Sequence, residues 1–86
     1  MKDKAYEEIT KGGEAEKILS SAVYQEAFTR VKTNIIDAMQ NSPLSDDVTH
    51  NRLVIALQTL NQIERALTDI MQTGKMAKIQ VSDNVK

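Results

Sequence analysis

The positions of apolar residues along the chain give two helical stripes separated by a turn. Tyr24, Phe28, Val31, Ile35 and Ala38 follow one another at alternating steps of four and three, which is one face of an α-helix. Leu53, Leu60 and Leu67 recur every seven residues, and Ala56, Ile63 and Ile70 recur every seven with an offset of three. With Leu57 and Met71 they form a heptad-like stripe. The pattern predicts helices over about 14–41 and 46–73. Upstream of Tyr24, the apolar residues Ile18, Leu19, Ala22 and Val23 lie on a rotated face. Ser20-Ser21 sits at the change, so a kink and a fresh start from about Ala22 are expected there.

Punctuation sets the boundaries. Pro43 has no N–H and drives Ser42 out of the helical region. Ser45 is then the expected N-cap of the second helix, with Asp46 and Asp47 in its first turn, where the macrodipole favours negative charge. Gly74 is the expected C-cap. The adjacent Gly12 and Gly13 carry a large helix penalty, so residues 1–13 are expected to be a flexible N-terminal arm. Residues 75–86 form a slightly basic C-terminal tail. The fold class that follows is all-α, an antiparallel helical hairpin over 14–74, because a short connection makes long helices antiparallel neighbours.

Such a hairpin has one seam, built from Tyr24, Phe28, Val31 and Ile35 against Leu53, Leu57, Leu60, Ile63, Leu67 and Ile70. Val54 and Ile55 fall off that seam and are the candidate partner surface. Ile36 and the Ile18-Leu19-Val23 group fall off it too. The apolar residues outnumber what one seam can cover in a chain of 86 residues, and small domains bury little surface alone. Assembly into a helical-bundle oligomer is the simplest remedy. The alternative is a three-helix monomer in which the N-terminal arm or residues 14–20 fold back.

Composition narrows the function. The chain has 11 Lys+Arg and 12 Asp+Glu, a formal net charge of −1, so no global field steers it to nucleic acid or anionic lipid. Arg30, Lys32, Arg52 and Arg65 are interspersed with acids, leaving direct nucleic-acid contact weak. Three aromatic residues are too few for a base-stacking platform. Cysteine is absent, which removes disulfides and thiolate metal sites. No apolar run approaches the ~18 residues of a membrane span, and the charged start Met1-Lys2-Asp3-Lys4 does not read as a signal peptide.

Candidate chemistry is sparse. His50 shares a helical face with Asp46 and Asp47, a spacing compatible with a metal or an acid–base pair. The same carboxylates are what any helix start carries, and the capping reading is preferred. Ser20, Ser21, Ser42 and Ser45 lie where caps and turns are needed. No phosphate-cradling glycine frame surrounds Gly12-Gly13 or Gly74. The expectation is a protein that is not an enzyme, with no catalytic residue, metal or cofactor.

The blocks Tyr24-Gln25-Glu26-Ala27-Phe28, Ser42-Pro43-Leu44-Ser45-Asp46, Arg52-Leu53 and Thr73-Gly74-Lys75-Met76-Ala77 have an order that resembles a group of small tailed-bacteriophage proteins. Members of that group are encoded near head and DNA-packaging genes. The resemblance spans about two-thirds of the chain, in motifs that are largely helical punctuation, and supplies no catalytic residues. It implies a role in virion assembly or DNA packaging, head-associated or like a small terminase subunit, many of which have an oligomerising helical core. Unlike the better-known small terminases, these residues show no obvious N-terminal DNA-binding domain. Implied partners are further copies of itself and a phage head or packaging protein, in the host cytoplasm or on the virion. The competing reading is a small helical inhibitor or adaptor that lays an apolar face into a groove of a host or phage protein.

Overall fold

The computed structural model describes residues 2–85, and these form three helices: α1 (Lys2–Ser20), α2 (Ala22–Asn41) and α3 (Asp47–Val85). Among the described residues there is no strand. The molecule is a narrow rod of 63 × 24 × 16 Å. Its length is that of α3, whose 39 residues span about 58 Å at ~1.5 Å per residue. α1 and α2 follow one another along α3, with α1 making the closer approach.

The break between α1 and α2 is local and bridged by hydrogen bonds. Ser21 is extended (φ −66°, ψ 125°) and its hydroxyl accepts from the Tyr24 amide, capping α2. The Ser21 amide donates back to the Ile18 carbonyl at 3.1 Å, and the Ser21 carbonyl accepts from Gln25 at 3.0 Å. Gln25 Nε2 reaches across to the Leu19 carbonyl at 3.0 Å, and the Ser20 hydroxyl donates to the Glu16 carbonyl. The serine pair thus supplies the fresh helix start that the rotated apolar face requires.

The turn follows Pro43. Ser42 ends α2 in an extended conformation (φ −79°, ψ 142°), as a residue before proline must. The expected N-cap moves by one residue. Asp46, not Ser45, caps α3, with Oδ1 accepting from the Thr49 amide at 3.1 Å and Oδ2 from the Thr49 hydroxyl at 2.6 Å. The turn closed by Asp46 N–H on the Pro43 carbonyl at 3.0 Å leaves Ser45 one position too early to reach that amide.

Three further expectations are corrected at the glycines. Residues 3–13 belong to α1, not to a flexible arm, and the helix runs unbroken through Gly12-Gly13. Gly74 does not cap α3, which continues to Val85 through the segment expected to be a tail; among the described residues no glycine has a positive φ. The physical reason is one crossing. An ideal Cβ on Gly12 would stand 2.8 Å from Gly74 Cα and 3.2 Å from the Ile70 carbonyl oxygen. One on Gly74 would stand 2.7 Å from the Glu8 carbonyl oxygen. Advancing along α1 from Glu8 to Gly12 moves back along α3 from Gly74 to Ile70, so the two helices run in opposite directions. Gly12 and Gly74 let their backbones touch, and the dispersion gained there offsets the ~1 kcal/mol helix penalty at each. Among the described residues the buried apolar side chains are Ala15 and Ala77, 3% and 4% exposed, each one turn beyond its glycine and on opposite sides of the crossing.

Candidate functional site

The α2 half of the rod holds larger side chains. Tyr24, Phe28, Ile35, Leu53, Leu57, Leu60 and Leu67 are each half-buried. Tyr24 and Phe28 pack with ring centroids 5.9 Å apart and planes tilted by 39°. The remaining expected seam positions stay open: Val31, Ile63 and Ile70 are exposed. So are Val54 and Ile55, the candidate partner surface, together with Val23, Val48 and Met76. Leu44, at the tip of the turn beside Pro43, is 92% exposed.

Two polar features interrupt the seam. The Tyr24 hydroxyl oxygen is buried without a hydrogen-bond partner. Its pKa is raised by burial and, secondarily, by the negative charge of Glu64. Glu64 occupies the α3 position between Leu60 and Leu67 on the inner stripe, near enough for its charge to act on Tyr24.

His50 is accounted for structurally. Its Nε2 lies 3.1 Å from the Pro43 carbonyl oxygen; a carbonyl only accepts, so Nε2 carries the proton and pins the turn to α3. Asp46 is engaged as a cap, and its carboxyl is held below the usual range by the Thr49 hydroxyl first, the Thr49 amide next and His50 least. Among the described residues no three His, Cys, Asp or Glu side chains converge on a metal-sized point. Glu26 and Arg30, one turn apart on α2, pair at 3.4 Å on the surface. Glu7 and Lys11 form a second such pair at 2.7 Å. In that pair hydrogen bonding holds the Glu7 carboxyl below its ordinary value and raises the Lys11 ammonium.

Concavity is slight. A groove of about 200 Å³ lies beside the glycine crossing, lined by Ile9, Gly13 and Glu16 of α1 and Met71, Lys75 and Lys78 of α3. Wider depressions of about 440–480 Å³, over residues 22–30, 3–14 and 75–83, are shallow and open to solvent. Among the described residues, no helix is long and apolar enough to cross a membrane. What distinguishes the surface is its apolar content. Sequence reasoning had no way to see that the Gly12–Gly74 crossing consumes the small side chains of α1 and α3 and leaves the larger aliphatic ones outside.

No protein-family model, curated protein or solved structure matches the chain.

Proposed function

We propose that the chain is a non-catalytic, self-associating helical module, a helical hairpin that completes its core only with other copies. It acts in virion assembly or DNA packaging of a tailed bacteriophage, in the host cytoplasm or on the particle, and holds a head or packaging protein through the assembled bundle. The observation that carries the self-association is the accessible surface. The rod exposes 6806 Å², against roughly 5,100 Å² for a compact monomer of its mass. Its radius of gyration is 18.3 Å, where a compact chain of this length has about 12 Å. The phage setting is supported by the order of the sequence blocks described above. The reading assigns no reaction, metal or cofactor.

The test is binding to the machine itself. Tagged protein should retain the portal or the large terminase subunit of the same phage after co-expression and washing. Elution free of every head and packaging protein would contradict the reading.

A second reading, a small inhibitor or adaptor, is favoured by Ile55, which is 60% exposed beside Val54. It predicts that Val54→Asp with Ile55→Asp abolishes binding to a host or phage target while leaving self-association intact.

A further inference from the structure

α3 carries two stripes, and the fold uses one. The inner stripe, with Leu53, Leu57, Leu60, Leu67, Met71 and Gly74, faces α1 and α2. The second lies about 100° around the helix and consists of Thr59, Ile63, Ala66, Ile70 and Thr73. All five are exposed, Ile63 by 53% and Ile70 by 42%. No charged residue interrupts them, and their steps of four and three are those of a helix–helix seam.

The stripe is palindromic. Read outward from Ala66, it gives isoleucine and then threonine in both directions. An isologous two-fold contact demands this property, because residue i touches j while j touches i. Reversal about Ala66 sets Thr59 of one copy beside Thr73 of the other and Ala66 beside itself, where two small side chains let the helices close, and brings Ile63 within one residue of the level of Ile70. The same reversal holds the two copies of Asp69 six positions apart along the axis, about 9 Å. On the other side of the rod, the register of Gly12 on Gly74 puts the Ser20-Ser21 break level with Ala66. Ile18 and Val23, 44% and 74% exposed, flank that break.

We propose that this stripe is the homodimer interface: α3 of one copy packs antiparallel on α3 of a second, about a two-fold axis at Ala66, to give a four-helix bundle. Two rods of 6806 Å² each carry roughly 5,000 Å² more surface than one globule of doubled mass, enough to supply an interface of obligate-homodimer size. The proposal rests on the self-association advanced above and adds its face, symmetry and register.

The chain contains no cysteine, so single cysteines report the register directly. Ala66→Cys, mildly oxidised at micromolar concentration, should shift from 9.6 kDa to a disulfide-linked dimer on a non-reducing gel. Arg65→Cys, at the same level on another side of α3, should remain monomeric on that gel. Thr59→Cys should cross-link to Thr73→Cys when the two are mixed, and neither should cross-link to itself. Circular dichroism matching the parent checks that each variant folds. Failure of Ala66→Cys to cross-link, equal cross-linking of Arg65→Cys, or self-linking of Thr59→Cys overturns the proposal. Should light scattering still show a multimer in that case, the face is wrong and self-association stands; a particle of 9.6 kDa removes both.

Discussion

Gly12 and Gly13 are neighbours in one helix, and replacing each by alanine should move stability in opposite directions. Alanine is favoured over glycine in a helix interior by about 0.8–1.0 kcal/mol. At Gly13 a Cβ meets nothing within 4 Å, so Gly13→Ala should gain that full amount. At Gly12 the Cβ would sit 2.8 Å from Gly74 Cα, where relaxed carbon contacts need about 3.5–4.0 Å. The neighbour is backbone on a packed helix, so α1 must retreat by roughly 0.7–1 Å, forfeiting a quarter to a half of the dispersion across the crossing. Overpacking of this kind costs about 1–3 kcal/mol. After the propensity gain, Gly12→Ala should be destabilising by roughly 1–2 kcal/mol, leaving the variants about 2–3 kcal/mol apart. At ~4–8 °C per kcal/mol for a domain this small, their melting temperatures should differ by about 10 °C or more. The assay is thermal and urea unfolding by circular dichroism at one fixed protein concentration, since association makes stability concentration-dependent. If Gly12→Ala stabilises as much as Gly13→Ala, the helices do not touch there and the reasoning fails.

Three other outcomes follow from the same contacts. Gly12→Ala with Gly74→Ala should cost less than the sum of the singles, because the retreat that accommodates one Cβ makes room for the second; strict additivity in urea midpoints would place the two glycines in separate contacts. Tyr24→Phe removes a buried, unpaired hydroxyl and should be neutral or stabilising by up to about 1 kcal/mol, whereas a loss of more than that would reveal a hidden partner. Asp46 has a folded pKa held down by Thr49, so its contribution is present above the unfolded value of about 3.9 and is lost as pH falls through the folded value. Asp46→Asn keeps a good cap and should flatten that part of the acid slope, read as the difference between urea midpoints of parent and variant from neutral pH downward; identical slopes would remove Asp46 from the acid response.

The helical class, the proline turn and the restart after Ser20-Ser21 were legible in the sequence because each is set by neighbours within one or two turns. The arm and the tail were misread for one reason. Local propensity treats Gly12, Gly13 and Gly74 alike as helix breakers, and only the spatial meeting of Gly12 with Gly74, more than sixty positions later in the chain, shows why two of them are tolerated. The rotated face at Ile18 and the off-seam Ile55 already signalled more apolar surface than one seam covers. The second stripe around Ala66 was hidden in plain view, since Ile63 and Ile70 satisfy the same sevenfold repeat as the seam and were assigned to it. Only their exposure separates the two.

Such a rod should not exist alone in solution. Sedimentation equilibrium of the untagged chain at micromolar concentration decides the matter. The mass should be twice 9.6 kDa and should fall toward the single-chain value when Ile63→Asp and Ile70→Asp are combined. A parent chain that sediments at 9.6 kDa and unfolds in one sharp transition would contradict it.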